Sequence, residues 1–347
     1  MKPMTYYWQS LNFVSLALAP ISLLFCLLVF LRRILYRFGW FKSYHSKLPV
    51  IVVGNIYIGG NGKTPFVIWL AKQLQAAGYH PGIVSRGYGA LEHSSDFPWP
   101  REVGVSENMQ LYGDEPFLIH QATQCPVIID PDRSRAVKKI ENISDCDVII
   151  SDDGLQHYAM SRLLEINITD ARRLYGNGLC LPAGPLRESR QRLKSVDYIV
   201  YNISQSKLKT VGEKADGREF TMDYEVNSLL PLDNQDSLDF DDHSMTLDDF
   251  KGKIVHAVAG IGEPDNFFRL LECYGLIVIK HPFADHFQYQ EADLDFEPSY
   301  PIIMTEKDAV KCRAFSLSQC WYLPIKANID HILADHIIGR LNKYSTP

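Results

Sequence analysis

The feature that most constrains the fold is a glycine-rich loop between a predicted strand and a predicted helix. A β-branched run at residues 49–53 ends at Gly54, as a buried parallel strand does. The loop at residues 59–64 reads Gly-Gly-Asn-Gly-Lys-Thr, and a helical pattern then continues to Ala77, before Gly78. A strand, a glycine-rich loop and a helix in this order are the context of a phosphate-binding P-loop.

The P-loop interpretation gives the loop residues specific roles. Backbone N–H groups in such a loop surround phosphate oxygens, and the helix N-terminus adds positive potential. We expect Lys63 to reach the β- and γ-phosphates of ATP and the Thr64 hydroxyl to bind Mg²⁺. The strict pattern requires glycine where this chain has Tyr57, and an incidental glycine turn is the alternative. The residues predicted to contact the nucleotide are Tyr57, Ile58, Gly59, Gly60, Asn61, Gly62, Lys63 and Thr64.

A second apolar strand, at residues 148–150, ends in paired carboxylates. Ser151, Asp152 and Asp153 follow it directly. Downstream of a P-loop this is the Walker B arrangement, in which an aspartate holds Mg²⁺ directly or through water. An aspartate pair that caps the next turn is the alternative. We expect Asp152 to be the metal ligand, with Asp153 beside it at the metal site.

Strands alternate with helical segments through most of the chain, which predicts a doubly wound α/β sheet with its site at the carboxyl ends of the strands. Residues 216–249 are acidic and poorly periodic, and a second α/β series follows them. We therefore predict an N-terminal hydrophobic anchor with a basic flank at 1–42, a P-loop domain at 43–215, a connection at 216–249 and a C-terminal α/β domain at 250–347.

The N-terminal segment is predicted to attach the protein to a membrane. Residues 11–31 carry no charge, and as a helix they would reach roughly 31 Å, about the thickness of a bilayer's hydrocarbon core. Arg32, Arg33 and Arg37 follow the apolar run, which differs from a signal peptide and places the remainder in the cytoplasm. Pro20 leaves three geometries open: a spanning helix, an in-plane or partly inserted helix, and a buried soluble helix.

Charge is distributed unevenly between the two ends of the chain. The first 91 residues contain nine Lys and Arg and no Asp or Glu, whereas the remainder holds 26 basic and 41 acidic residues. The net charge of −6 argues against a strongly basic nucleic-acid binder, and the basic end indicates an anionic partner, either lipid, nucleotide or both. Seven cysteines without C-x-x-C spacing argue against a zinc site or a disulfide framework and fit a reducing compartment.

Eight motifs in order, together with the apolar N-terminus, resemble the tetraacyldisaccharide 4'-kinase family, the lipid A pathway kinases of Gram-negative bacteria. That family's P-loop also lacks the first glycine. The motifs lie at residues 54–65, 85–89 (Ser-Arg-Gly-Tyr-Gly), 113–116 (Gly-Asp-Glu-Pro), 152–157 (Asp-Asp-Gly-Leu-Gln-His), 182–188 (Pro-Ala-Gly-Pro-Leu-Arg-Glu), 259–262, 284–286 (Ala-Asp-His) and 304–311 (Met-Thr-Glu-Lys-Asp-Ala-Val-Lys).

The resemblance implies an enzyme with a RecA-like P-loop domain, a second smaller α/β/α domain and a membrane-anchoring helix. It implies ATP and Mg²⁺ as cofactors and an anionic acylated disaccharide lipid as the substrate, with no nucleic acid partner. The γ-phosphate of ATP would pass to the 4'-hydroxyl of a tetraacyl glucosamine disaccharide 1-phosphate, forming lipid IVA. The catalytic domains would lie on the cytoplasmic face of the bacterial inner membrane.

The resemblance also implies roles for residues outside the P-loop. Asp114 would be the base that accepts the hydroxyl proton, and His286 would pair with it. The residues expected to bind the substrate are Arg86, Glu115, Arg133 and Arg187. The alternatives are a helix N-cap for Asp114, a core or loop histidine for His286, and solvated surface positions for the arginines.

Two other functions are compatible with a P-loop. A membrane-bound ATPase of the positioning or metallochaperone type would carry a second lysine just before the Gly-Gly pair, where this chain has Ile58. A nucleotide-dependent synthetase of the dethiobiotin type would need no membrane segment. Labelled ATP distinguishes the kinase, because only the kinase makes a phosphorylated lipid.

Overall fold

The computed structural model describes residues 4–91, 97–105, 109–143, 145–204, 217–226, 228–232 and 245–345. The α-helices are α1 Met4–Tyr7, α2 Phe13–Arg37, α3 Lys63–Ala76, α4 Asp114–Thr123, α5 Arg133–Ile140, α6 Pro264–Cys273, α7 Glu306–Cys312 and α8 His331–Ser345. The strands are β1 Val50–Gly54, β2 Pro81–Ser85, β3 Arg101–Glu102, β4 Val127–Ile129, β5 Val148–Ser151, β6 Leu164–Asp170, β7 Tyr198–Asn202, β8 Glu219–Glu225, β9 Ser228–Pro231, β10 Met245–Thr246, β11 Ile254–Ala259, β12 Ile277–Pro282, β13 Ile302–Thr305, β14 Cys320–Leu323 and β15 Lys326–Ile329.

The larger sheet has nine strands in the order β15-β8-β7-β6-β1-β5-β2-β4-β3. Its inner strands run parallel, and the short edge strands β3 and β15 run antiparallel to their neighbours. All five residues of β1 are buried, because helices cover both faces of the sheet at its centre. Side chains of α3 and α8 pack on one face, and side chains of α5 pack on the other.

The smaller sheet has six strands in the order β10-β9-β14-β13-β11-β12. Strands β11 to β14 are parallel, and β9 joins β14 in antiparallel orientation. Helix α6 packs its phenylalanines, Phe267 and Phe268, into the core beside β11. The two sheets confirm the predicted α/β fold, with the smaller sheet late in the chain.

Sheet membership differs from the predicted boundaries at both ends of the second series. Strand β8 falls within the predicted connection, 216–249, yet it pairs with β7 of the larger sheet. Strand β15 and helix α8 fall within the predicted C-terminal segment, 250–347, but β15 pairs with β8 and α8 packs beside α3. An edge strand is selected by a partner far away in the sequence, so local composition does not reveal it.

Helix α2 is docked on the larger sheet's domain along one face. Ser15 and Ser22 are buried, and the Ser22 hydroxyl donates to the Cys180 carbonyl oxygen at 2.7 Å. At the two ends of the segment, the Trp8 indole donates to the Pro182 carbonyl oxygen and Arg33 donates to the Ser195 hydroxyl. The opposite face is exposed and apolar, with side chains that include Leu16, Leu23, Leu24, Leu27, Leu28 and Phe30.

Candidate active site

The glycine-rich loop follows β1 and contacts Asn202 at the end of β7. Gly62, the N-cap residue of α3, has φ of +86°, a left-handed conformation that favours glycine. A Cβ at this position would lie 2.4 Å from Tyr224 Oη and 2.6 Å from Asn202 Nδ2. The Asn202 amide donates to the Asn61 carbonyl oxygen at 3.2 Å and to Tyr224 Oη at 2.8 Å. Polar side chains of β7 and β8 therefore contact the loop and support its backbone.

The rim of the same loop is open. Gly59 and Gly60 are exposed, and a Cβ on Gly60 would meet no atom within 4 Å. The Ile58 N–H donates to the Pro185 carbonyl oxygen at 3.0 Å, and Tyr57 forms a bridge with Leu186. The loop backbone is thus held at its two ends and accessible in between, which is the arrangement that phosphate binding requires.

Strand β5 pairs directly with β1, so its acidic end lies next to the loop. Lys63 Nζ lies 3.5 Å from Asp153 Oδ1, and the Arg187 guanidinium lies 2.9 Å from Asp153 Oδ2. Burial opposes ionisation of Asp153, but these two cations outweigh it and lower the pKa to about 2. Asp153 is therefore an ionised partner of the loop lysine in this structure.

Asp152 lies in a different environment, and its chemistry fits a metal ion. Its Oδ2 accepts from the Ser85 hydroxyl at 3.1 Å, whereas its buried Oδ1 has no hydrogen-bond partner. Burial and the nearby charges of Glu115 and Asp153 raise the pKa of Asp152 to about 6. An unpartnered carboxylate oxygen beside a P-loop fits Mg²⁺, a hard cation that takes oxygen ligands.

The four residues predicted to bind the substrate lie at different depths. Arg133 is 2% exposed, and its guanidinium donates to the carbonyl oxygens of Asp130 and Asp152, so it braces the backbone at the ends of β4 and β5. Burial lowers the pKa of Arg133 to about 10. Arg86 is exposed, whereas Arg187 and Glu115 are half-buried.

Asp114 and His286 lie in the domains of different sheets and contact each other. Asp114 is the first residue of α4, follows Gly113 as the N-cap, and is 6% exposed. His286 lies in the loop after β12, and its Nδ1 is 3.0 Å from Asp114 Oδ2. Burial raises the pKa of Asp114, but His286, Lys311 and Lys307 together bring it below its ordinary value. The structure thus places an ionised carboxylate against an imidazole, 172 residues apart in the sequence.

Comparison with known proteins identifies the family. The family model described as "Tetraacyldisaccharide-1-P 4'-kinase" matches residues 14–342. The chain belongs to the tetraacyldisaccharide 4'-kinase family. Tetraacyldisaccharide 4'-kinase from Methylobacillus flagellatus is 44% identical over 97% of this chain and 95% of its own, and that from Aromatoleum aromaticum is 43% identical over 96% of each. The crystal structure of LpxK from Aquifex aeolicus in complex with ATP superposes with a TM-score of 0.76 at 28% identity, covering 94% of this chain and 99% of that chain.

These matches confirm the resemblance, the P-loop α/β fold and the assignment as a kinase of this family. The solved relative binds ATP, in agreement with the predicted nucleotide site. Within the described residues, α2 is the one helix that is long and apolar enough to cross a membrane, with a mean hydropathy of 2.7. The roles of individual site residues, and of Mg²⁺, stay predictions.

Sequence reasoning missed several residues that the kinase brings to the site. Asn202 and Tyr224 support the loop, Ser85 bonds to Asp152, and Lys307 joins Glu115 to Asp285. Lys311 contacts Asp114 directly, with Nζ 3.3 Å from Oδ2. Lys307 and Lys311 lie in the motif at 304–311, so their position in the sequence was noticed but their contacts were not.

Proposed function

We propose that this kinase transfers the γ-phosphate of ATP to the 4'-hydroxyl of a tetraacyl glucosamine disaccharide 1-phosphate, forming lipid IVA. The observation that carries the proposal is the 3.0 Å contact between Asp114 and His286. It assembles an ionised base near the acidic end of β5, because the His286 ring packs on Tyr88, and Ser85 on the same segment bonds to Asp152. Phosphoryl transfer needs this combination of a phosphate site and a nearby proton acceptor.

The nucleotide phosphates bind along the open rim of the loop at residues 59–64. Lys63 reaches toward the transferred phosphate from the start of α3, and its contact with Asp153 keeps it at the metal side of the loop. Asp152 and the Thr64 hydroxyl would hold Mg²⁺, with Asp153 close to its ligands. When bound, Mg²⁺ neutralises charge on the β- and γ-phosphate oxygens.

Asp114 accepts the proton of the acceptor hydroxyl as the new P–O bond forms. Its contacts with His286 and Lys311 both use Oδ2. Its Oδ1 makes no hydrogen bond in the described part of the chain and is free to face the acceptor. A hydroxyl is a poor nucleophile, so a carboxylate in this position lowers the barrier as the proton leaves.

The anionic groups of the acceptor lipid meet the basic side chains around the cleft. Arg86 is exposed on the loop after β2, which makes it available to a phosphate group. Arg187 donates to Asp153 and to Gln156 Oε1, and the neighbouring Leu186 packs against the docked anchor helix. Arg133 acts indirectly, because its guanidinium is committed to backbone carbonyls.

The anchor helix α2 lies in the membrane interface with its docked face toward the P-loop domain. Contacts at Trp8, Ser22 and Arg33 hold the helix against the domain along its length, so the exposed apolar face is the one that meets lipid. Phe25 and Cys26 pack on the cluster that contains Ile56, just before the phosphate loop. This docking supports the proposal that the cleft between the two sheets faces the cytoplasmic leaflet of the inner membrane and takes its lipid substrate from there.

A transfer assay with the full chain tests the proposal. With Mg²⁺, γ-labelled ATP and the disaccharide 1-phosphate lipid in mixed micelles, we expect label in the lipid. Release of free phosphate alone would refute the kinase reaction and would favour an ATPase. Asp114→Asn should lower kcat by more than about a hundredfold while ATP affinity stays within about twofold. Asp265→Asn, an exposed aspartate in the first turn of α6, is the matched control.

A further inference from the structure

Lys311 is a buried lysine at the junction of the two sheets. Its side chain is 3% exposed, and its ammonium lies between two carboxylates, 3.2 Å from Asp308 Oδ1 and 3.3 Å from Asp114 Oδ2. The Tyr289 ring lies beneath it, with the ammonium 5.5 Å from the ring centroid. A lysine is seldom buried unless it is paired, so the two contacts account for its position.

The lysine is held firmly from the side of the smaller sheet. Asp308 is fully buried, and its Oδ2 accepts from the Gly260 N–H at 2.9 Å and from the Thr305 hydroxyl at 2.6 Å. Its other oxygen remains for Lys311. The ammonium is therefore fixed by Asp308 of α7, which is itself held at the end of β11. Its second partner, Asp114, is the first residue of α4 in the domain of the larger sheet.

His286 and Lys311 contact the same oxygen of Asp114. His286 Nδ1 and Lys311 Nζ meet Oδ2, which orients the carboxylate group and turns Oδ1 away from them. This is the geometry of a base with one oxygen used for anchoring and one for proton transfer. Helix α4 packs against α7. The anchoring of Asp114 therefore depends on how the domain of the larger sheet packs against the domain of the smaller sheet.

We propose that Lys311 is a positioning residue for Asp114: it keeps the carboxylate ionised and directs Oδ1 toward the acceptor hydroxyl. The inference rests on the proposed function, in which Asp114 is the base. It adds the requirement that the two domains pack together, because the positive charge next to the base is on Lys311 of α7, beside the smaller sheet. Turnover therefore needs α7 in contact with α4, and neither domain by itself provides both the base and the lysine that positions it.

The charged and titratable groups around Asp114 come from three elements. They are Glu115 on α4, Asp285, His286 and Tyr289 in the segment after β12, and Lys307, Asp308 and Lys311 on α7. Burial alone raises the pKa of Asp114, whereas the hydrogen bond with His286 and the charges of Lys311 and Lys307 bring it below the ordinary value. Without Lys311, less positive charge opposes the effects of burial and of the neighbouring carboxylates, and we expect the pKa of Asp114 to rise.

The pH dependence of kcat in Lys311→Met tests the proposal. Loss of an opposite charge at this distance raises the pKa of a carboxylate by about 1–3 units. The ratio of the variant's kcat to that of the parent should then be lower at pH 5 than at pH 8, by less than about twofold at the lower end of this range and by about tenfold or more at its upper end. Titration of ATP is common to both enzymes and cancels in the ratio. KM for ATP should change by less than about twofold, since the lysine is proposed to act on the base.

Two further variants separate charge from packing. Lys311→Arg keeps the charge and should give a ratio that is flat with pH. Lys280→Met removes an exposed ion pair with Glu272 in the same domain and should match the parent throughout. If Lys311→Met does not fold, Lys311→Gln repeats the measurement with a neutral hydrogen-bonding side chain. A flat ratio for the neutral variants would overturn the proposal, because a merely structural role scales kcat equally at every pH.

The failure of this inference is distinguishable from the failure of the proposed function. If Asp114→Asn abolishes transfer and the neutral Lys311 variants show no pH-dependent ratio, only the role of Lys311 is refuted. If Asp114→Asn keeps more than about a tenth of the parent's kcat, the base assignment and the inference are both refuted. In the Asp114→Asn background, adding Lys311→Met should leave the pH profile of the residual activity unchanged.

Discussion

Replacing Gly62 by alanine tests whether the phosphate loop requires its observed shape. The residue has φ of +86°, and an L-residue in the left-handed region costs about 1–2 kcal/mol. The new methyl group would also lie 2.4 Å from Tyr224 Oη and 2.6 Å from Asn202 Nδ2. Overpacking of this kind costs about 1–3 kcal/mol. The two effects together amount to about 2–5 kcal/mol.

The new methyl group meets the ends of side chains, and one of them, Asn202, donates to Asn61 in the loop, so we expect their displacement to shift the loop and the N–H groups proposed to bind phosphate. A loss of about 2 kcal/mol in ATP binding raises the Kd roughly thirtyfold, since each 1.4 kcal/mol is a factor of ten. We therefore expect Gly62→Ala to lower the melting temperature and to weaken ATP by at least about tenfold. Differential scanning fluorimetry measures the first effect, and titration calorimetry with a non-hydrolysable ATP analogue measures the second.

Gly60→Ala is the matched control for stability within the same loop. Its added Cβ would meet no atom within 4 Å, so the melting temperature without nucleotide should equal that of the parent. The reasoning would be refuted if Gly62→Ala melted with the parent and bound the ATP analogue with an unchanged Kd. That result would mean that Asn202 and Tyr224 move aside without cost and that the loop shape is not set by the strand below it.

Three further predictions concern the base and the anchor. Gly113→Ala should lower kcat by at least tenfold with little change in ATP affinity, because its Cβ would lie 2.4 Å from the Tyr88 carbonyl oxygen and would displace Asp114. The folded-state pKa of Asp114 lies below its unfolded value of about 3.9, so its ionised form stabilises the fold above that pH. The melting temperature of the parent should exceed that of Asp114→Asn at pH 7, and the difference should shrink as the pH falls below about 4. Replacing Leu24 and Leu28 by serine should reduce flotation with anionic vesicles and leave ATP affinity unchanged.

Each of these expectations has a control and a contrary result. For Gly113→Ala the control is Gly339→Ala on α8, where the added Cβ meets no atom within 4 Å and kcat should not change. If Gly113→Ala kept the parental kcat, the turn before Asp114 would adapt to the new side chain and the prediction would be wrong. A melting-temperature difference that persists at pH 3 would assign the stabilisation to packing and not to charge. Serine at the exposed Ile277, on β12, controls for loss of surface hydrophobicity, and full vesicle binding by the Leu24 and Leu28 variant would locate the membrane contact elsewhere.

Local pattern was sufficient to predict the centre of the larger sheet. Strand β1 and helix α3 appear where the apolar run and the helical pattern indicated, because a strand buried on both faces and a glycine-rich loop leave strong local signals. The short strands β9 and β10 and the antiparallel strand β15 were not predicted. Each of them pairs with a strand that is remote or separated by a poorly periodic segment, and the sequence offers no pattern for that choice.

The candidate site divides in the same manner. Lys63, Asp152 and Asp153 could be predicted as neighbours because parallel strands bring their carboxyl ends to one edge. The different states of the two aspartates could not. Asp153 has Arg187 and Lys63 as partners and a lowered pKa, whereas Asp152 is buried with an unpartnered oxygen and a raised pKa. These states depend on burial and on which cation arrives from elsewhere in the chain.

By itself the sequence predicted a P-loop α/β protein with an apolar N-terminal helix, because chain-local spacing is enough for a strand, a phosphate loop and a helix. The kinase assignment came from the resemblance of its ordered motifs to a known family. Only the tertiary structure decided which groups meet at Asp114, the proposed base. Asp114, His286 and Lys311 come from three separate segments, and their contacts of 3.0 and 3.3 Å exist only when the two sheets pack together. Electrostatic interactions in a buried site depend on distances between such segments, and those distances are a property of the folded chain.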